Sequence, residues 1–355
     1  MIKTICNKMT HLMELIEYNL FQERYPLANY FYRQHGKGKN ANGVVFMLHR
    51  VCNRIDGHIP NNEHLKVSPE FLENVIVKYK KAGFSFLSID QLYDVISGKS
   101  NIHKPFVCFT MDDGYLDNFE NAYPLFKKYQ IPFAVFVATD FPDKKAVLWW
   151  YTIEELILNS TEIRLSDGSI YSCKTFQEKW DTFRYIREKI LLLTQSNLVN
   201  ELNELFANYQ LDWLAPIQTL SMNWEQVKTL TQEPLCTIGG HTVSHVALNK
   251  LSLEELDNEI SNGINIIKSH TGYKPVYFAY PYGSAKENGV AGHTHGGQLF
   301  PVTLMNDRIF NYNRGLYRCG TLQIYTSVGS GTFGPPMRIG TKSEVTLIRL
   351  KPTKK

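Results

Sequence analysis

Nowhere in the 355 residues do two cysteines stand close enough to form a C-x-x-C pair. The six that occur, at positions 6, 52, 108, 173, 236 and 319, are scattered, a pattern that fits a reducing compartment better than a disulfide framework. Cys108 falls inside an apolar run, where a buried thiol packs as a small hydrophobe. Also missing is any stretch of about eighteen uncharged apolar residues, so no membrane span is expected. The N-terminal lysines have no apolar core behind them, because His11, Glu14, Glu17 and Glu23 interrupt it. No signal peptide is therefore expected, and the cytoplasm is the default compartment. An excess of one charge is absent too: 38 Lys+Arg against 34 Asp+Glu give +4, too mild to argue for nucleic acid. What is present is ordinary for a globular chain with a sizeable core, 43% hydrophobic and 20% charged. The balance hides an asymmetry. From Gly289 onward there are nine Lys+Arg, two Asp+Glu and ten of the 23 glycines, which marks a boundary near residue 288.

Residues 1–40 read as one or two surface helices. Val44 to Leu48 is a buried-strand run with His49-Arg50 at its end. Ser68-Pro69 supplies an N-cap and a first-turn proline, the stripe Leu72, Val75, Ile76 and Tyr79 follows, and Gly83 closes the helix. Phe84 to Ile89 and Phe106 to Met111 are further strands, the second delivering an Asp pair to its C-terminal end. A helix from Asp117 to about Tyr129 and a strand from Ile131 to Ala138 come next. Residues 143–235 change character, helical by pattern except near 164–172, and read as an insertion capping one face. A strand near Cys236–Ile238, a helix opened by the capping box Ser252 and Glu255, and a strand Val276–Ala279 complete the pattern. Such alternation indicates an α/β barrel or open parallel sheet, where chemistry gathers at the C-terminal strand ends. His49, Asp112, Asp113, His241 and Tyr282 all fall there.

His241 and His245 are spaced i, i+4. On a helical turn such a pair leaves one face about 5–6 Å apart at Cβ and suits one metal ion. Gly239 and Gly240 just before it favour a loop that approaches something closely. A carboxylate as third ligand would leave a fourth position open for water, as in catalytic zinc sites. The adjacent Asp112 and Asp113 supply two roles, one carboxylate binding the metal and the other taking a proton from water. An Asp-Asp-Gly turn is the alternative, disfavoured by the buried strand that precedes it. Trp149 and Trp150 are candidates for stacking on a sugar, with core packing as the alternative, and Pro281 is a further candidate substrate contact.

Thr110-Met111-Asp112-Asp113-Gly114, His241-Thr242-Val243-Ser244-His245 and Phe278-Ala279-Tyr280-Pro281-Tyr282-Gly283 resemble the first three motifs of the polysaccharide deacetylase family. That family is carbohydrate esterase family 4, the chitooligosaccharide deacetylase homology domain. The resemblance covers about residues 41–288. It implies a distorted (β/α) barrel that removes N-acetyl or O-acetyl groups from sugars with a divalent metal, zinc first and cobalt, nickel or manganese as substitutes. By motif position it implies Asp112 as general base, Asp113, His241 and His245 as metal ligands, and the Tyr282 backbone N–H as an oxyanion donor. In the subgroup acting on poly-N-acetylglucosamine-type polymers, the acid that protonates the leaving amine is a His after the first strand. Phe46-Met47-Leu48-His49-Arg50-Val51 resembles that early motif and implies His49. One departure stands out: Ala279 occupies a position where many members carry an Arg that orients the base.

A second His pair, His293 and His295 in Gly292-His293-Thr294-His295-Gly296, resembles the last motif of calcineurin-like metallophosphoesterases. There it helps hold a dinuclear centre. A Gly-Asp with a further Asp and an Asn-His are absent upstream, and two His cannot hold two metals. The expected organisation is thus an N-terminal helical segment (1–40), a deacetylase domain (41–288) with its helical insertion (143–235), and a short β-rich, metallophosphoesterase-like tail (289–355). The expected partner is an acetylated glycan substrate. The alternatives are a metallophosphoesterase and a non-catalytic glycan-binding fold, and the sequence carries no sign of oligomeric state.

Overall fold

The computed structural model describes residues 43–96, 99–100, 102, 104–194, 197–246, 248, 251–281, 290–291, 315–319 and 322–326. The expected helices of residues 1–40, and Tyr282, His293 and His295, lie outside them. The strands β1 (Gly43–Leu48), β2 (Arg50–Val51), β3 (Lys66–Val67), β4 (Ser85–Phe86), β5 (Phe106–Asp113) and β6 (Phe133–Val137) precede an insertion hairpin, β7 (Glu162–Arg164) with β8 (Ile170–Ser172). After the insertion comes β9 (Cys236–Gly240). The main sheet is parallel throughout, in the order β1-β5-β6-β9, with β4 paired to the first residues of β5. Parallel strands joined by helices are buried on both faces, which explains why β5 and β6 read as continuous apolar runs. The protein is an α/β fold.

The helix Pro69–Lys81 starts and stops as its sequence dictates. Ser68 Oγ accepts the Phe71 N–H at 3.0 Å, Leu72, Ile76 and Tyr79 are buried, and Gly83 takes φ +79°. Such a cap is worth about 1 kcal/mol. Three expected elements differ from the structure. The strand expected from Phe84 to Ile89 stops at Phe86, because Ser88 and Gln91 form a reciprocal cap (2.9 and 3.2 Å) that starts the helix Ile89–Ile96. The helix expected from Asp117 opens with a π turn, Asn118–Ala122, before its α-helical part Tyr123–Tyr129. Residues 276–279 form no regular strand. They hold β9 through one bridge, Gly240 with Phe278, and through Gly240 N–H to Tyr277 O (2.9 Å) and Ala279 N–H to Gly240 O (3.0 Å).

The core lies under β5 and β6, where Phe109 stacks on Phe46 and meets Phe126 with ring centroids 5.3 and 5.2 Å apart. The two glycines before the His motif do approach their neighbours closely. A Cβ at Gly239 would stand 2.3 Å from the Phe136 ring, and one at Gly240 would stand 3.1 Å from the Phe278 ring. Gly239→Ala should therefore destabilise the fold by about 1–3 kcal/mol through overpacking, read as a lower urea midpoint at unchanged slope.

The segment after Ala146 builds its own core from Trp149, Ile153, Ile157, Trp180, Phe183, Ile186, Phe206 and Trp213. It docks on residues 50–66 by polar contacts. Buried Glu154 accepts the Ile59 N–H (2.6 Å) and the Asn62 side-chain amide (2.8 Å), and Trp180 Nε1–H donates to Asn61 (2.9 Å). Beyond residue 288 the described residues are all strand. β10 (Val290–Ala291) runs parallel to β12 (Leu322–Thr326), which forms a hairpin with β11 (Gly315–Cys319). No helix among the described residues is long and apolar enough to cross a membrane.

Candidate active site

Asp112 and Asp113 end β5, opposite Phe136 and Val137 of β6. On the other side of β6, Gly240 of β9 pairs with Val137, and the His241 N–H donates to Val137 O at 3.1 Å. Asp113 and His241 thus flank the same residue of β6 from neighbouring strands, with backbones roughly 9–10 Å apart. Their side chains close that gap above Val137. The Asp113 Oδ1 lies 3.2 Å from His241 Nε2 and 3.1 Å from His245 Nε2.

The sequence spacing suggested a helical turn for His241 and His245, and the structure corrects this. Residues 241–246 are not helical, and Thr242 and His245 both have positive φ, 72° and 57°. Thr242 Oγ1 accepts the His245 N–H at 2.9 Å, a local turn that folds His245 back beside His241 with ring centroids 5.1 Å apart. Asp113 also has positive φ, 80°. Three of the five non-glycine residues with positive φ among the described residues therefore sit at this one cluster. Such backbone costs about 1–3 kcal/mol per residue and persists where the surroundings over-determine it, most often at functional sites.

The three side chains fit one divalent ion. Asp113, His241 and His245 are nearly or fully buried, and their donor atoms lie within 4.8 Å of one another. Donors about 2.0–2.1 Å from a tetrahedral ion stand about 3.3–3.4 Å apart, close to the two separations found. Asp113 Oδ1 is buried and accepts no well-formed hydrogen bond, as expected of an oxygen aimed at a cation. His241 Nδ1 lies 3.0 Å from the Ala279 carbonyl, which takes the Nδ1–H and leaves Nε2 as the ligand nitrogen. The third motif therefore serves the site through its backbone at the position where the Arg is missing.

The two aspartates are driven apart electrostatically. Burial works against the Asp113 charge, but His245, His241 and His49 outweigh it and hold its carboxyl well below the ordinary range. For Asp112 burial dominates and, with the Asp113 charge, raises its carboxyl against the pull of His241, His49 and His245. The two neighbouring carboxyls thus differ in proton affinity, one raised and one lowered. Burial lowers the His241 imidazole, yet Asp113 and Asp112 turn the net shift upward.

His49 follows β1, one residue past the Leu48–Met111 pair, which sets it level with Asp112. Its carbonyl accepts the Asn118 amide at 2.8 Å. Next to it, Arg50 is gripped by Asp117 (Nε 2.8 Å, Nη2 2.8 Å) between the rings of Tyr115 and Tyr151, and Asp117 also accepts the Val51 N–H at 3.0 Å. The clamp was not anticipated from sequence, although Asp117 and Asn118 stand just after the Asp-Asp-Gly motif. Trp149 is 4% exposed and packs in the insertion core, so it offers no face to a sugar. Trp150 is half-buried with its ring 6.0 Å from His245, and Pro281 is buried.

A cleft of about 480 Å³ runs from His245, Ser244 and Trp150 to Asn197, Asn200 and Glu259. Asp140 lines it, and burial, Glu259 and Asp143 push its carboxyl up to about 6. The folded protein therefore keeps a proton that the unfolded chain releases near pH 4. Stability from that proton is complete below about pH 4 and is lost as pH rises through about 6. Asp140→Asn should raise stability at pH 8 by at most about 3 kcal/mol and leave it unchanged near pH 3, read from urea midpoints.

The comparisons with known proteins agree with the motifs. Residues 99–166 and 195–294 match the polysaccharide deacetylase family model. Among solved structures, the chain is similar to IcaB from Ammonifex degensii, with a TM-score of 0.43 and 20% identity over 70% of this chain and 77% of that one. It is also similar to the Streptococcus pyogenes deacetylase PplD in complex with acetate, with a TM-score of 0.42 and 17% identity over 80% and 89%. A different likeness covers a short segment. An uncharacterized metallophosphoesterase of Helicobacter pylori is 45% identical over 64 residues, 18% of this chain and 17% of that protein. A Danio rerio transmembrane protein with a metallophosphoesterase domain is 44% identical over 63 residues, 18% and 14%. The chain thus spans less than a fifth of the length of these relatives. The two segments similar to the polysaccharide deacetylase family carry β5 with its Asp pair and β9 with its His loop, the strand ends that meet at the buried cluster.

Proposed function

We propose that this chain removes acetyl groups from an N-acetylated polysaccharide or oligosaccharide, with Asp113, His241 and His245 holding a divalent metal, zinc first. The observation that carries this reading is the convergence of those three buried donors on one point beside a second carboxylate of opposite tendency. Two imidazoles and one carboxylate form the three-ligand set of catalytic zinc sites. When bound, the metal would supply Lewis acidity toward the acyl carbonyl and acidify a water. Asp112 takes the proton of the water that attacks the acetyl carbon. As the carbon–nitrogen bond breaks, His49 gives a proton to the departing amine, and acetate and the free amino sugar are released. Asn118 and the Arg50–Asp117 clamp hold the His49 backbone for that role. The Tyr282 N–H completes the proposal as oxyanion donor.

We further read residues 41–288 as the deacetylase domain, 143–235 as its insertion and 289–355 as a metallophosphoesterase-like terminal piece. His293 and His295 take no part in the deacetylation proposed. The test is acetate release from N-acetylglucosamine oligomers by purified protein reconstituted with Zn²⁺ or Co²⁺. Glycan binding without acetate release would favour the binding-fold alternative. Cleavage of an aryl phosphate with Mn²⁺ that is lost in His295→Ala would favour the phosphoesterase.

A further inference from the structure

The Thr242–His245 loop holds two strained residues yet must keep two imidazoles fixed to within tenths of an ångström. Most of its supports are single backbone or local contacts. The Thr139 N–H donates to Thr242 O (3.2 Å), the Asp140 N–H to Val243 O (2.8 Å) and the His245 N–H to Thr242 Oγ1 (2.9 Å). One side chain from elsewhere in the fold does more. Glu259 Oε2 accepts the N–H groups of Val243 (2.8 Å) and Ser244 (3.0 Å), and its Oε1 accepts the Ser244 hydroxyl at 2.7 Å. Successive backbone N–H groups around one carboxylate form an anion-holding concavity, and hydrogen bonds to a charged acceptor are roughly twice as strong as neutral ones.

The helix is shaped for this contact. Glu259 lies in a π turn, Asn258–Asn262, between the α-helical stretches Leu253–Asp257 and Gly263–Thr271. Immediately after it, Gly263 faces the loop so closely that a Cβ would stand 3.1 Å from Thr242 O. A wider turn carrying Glu259 and a residue without a side chain thus bring the helix onto the backbone of the strained Thr242. π turns of this kind concentrate at functional sites.

We propose that Glu259 is the positioning residue of the metal site, its carboxylate setting the 242–245 loop in the conformation that presents His241 and His245 to Asp113. The proposal rests on the metal-site reading given above. Glu259 acts through the loop whose Val243 and Ser244 groups it holds. Loss of such an outer partner typically costs 10- to 100-fold in metal affinity.

The experiment is a Zn²⁺ titration of the full chain against a competing chelator, with the Co²⁺ absorption spectrum as a reporter of ligand geometry. Wild type is compared with Glu259→Ala, Glu259→Gln, Ser244→Ala and Gly263→Ala. Glu259→Ala should weaken Zn²⁺ about 10- to 100-fold and alter the Co²⁺ spectrum. Glu259→Gln, which keeps one acceptor oxygen, should recover part of that loss. Ser244→Ala and Gly263→Ala should each weaken the metal several-fold while leaving the carboxylate in place. Should Glu259→Ala not fold, the other three variants decide. Zn²⁺ affinities within twofold of wild type in the folded variants, or wild-type Co²⁺ spectra, would overturn the proposal even if thermal stability drops, since that pattern is a merely structural role. A wild-type protein that binds no Zn²⁺ or Co²⁺ would instead sink the metal-site reading, and this inference with it.

Discussion

Asp113→Ala should eliminate both acetate release and high-affinity Zn²⁺ binding. The Asp113 Oδ1 is the atom that both His Nε2 atoms face, at 3.2 and 3.1 Å, so removing it deletes the centre of the donor set rather than one edge. Two buried imidazoles would remain, with the charge that offset their burial gone. The loss in affinity should exceed the 10- to 100-fold that an outer-shell change costs. Stability separates this effect from unfolding. A ligand held at a concentration a hundred times its Kd stabilises the folded state by about 2.7 kcal/mol, so wild type should show a Zn²⁺-dependent rise in Tm. Asp113→Ala should show none. In chelator its Tm should fall only modestly, because alanine tolerates the φ of 80° less well than aspartate. Zn²⁺-dependent acetate release by this variant would refute the ligand assignment.

Some of this arrangement is legible in the sequence because it is local. The run Phe106 to Met111 is apolar throughout and ends in two carboxylates, which only a buried parallel strand with a functional C-terminal end explains well. Ser68-Pro69 and the Ser252–Glu255 box announce helix starts by the groups they satisfy, and both caps form as read. The His pair is legible as a pair but not as a shape. Spacing i, i+4 suggests a helix, whereas the loop reaches the same proximity through positive φ at Thr242 and His245, which no propensity scale favours for a β-branched residue. Phe84 to Ile89 misleads because its apolar run continues past Phe86 while the Ser88–Gln91 cap has already begun a helix. Glu259 is the least legible of all. It is a charged residue beside Ile260 on an amphipathic helix, indistinguishable from a solvated position until the π turn and Gly263 place it against the loop. Trp149 and Trp150 are alike in sequence, and only packing tells the core residue from the one beside His245.

Asp112→Asn should lower kcat by about 10²- to 10⁴-fold, the usual contribution of a positioned general base, while leaving Zn²⁺ affinity within a few-fold of wild type. The contrast with Asp113→Ala is the point, since adjacent residues on one strand should fail in different ways. Asparagine fits the same buried volume and removes only the ability to take a proton. The pH profile adds a second, independent sign. Asp112 must be ionised to act as base, so kcat/KM should rise with pH through its carboxyl's range and flatten above it. Burial and the Asp113 charge move that acid limb upward, while His241 and His49 oppose the shift. A bound divalent cation would draw it down further. In Asp112→Asn the acid limb due to this group should vanish, leaving whatever limb the metal ligands impose as they lose the ion to protons. Loss of metal in this variant would mean that the two carboxylates share the ligand role, and an unchanged kcat would mean that Asp112 is not the base.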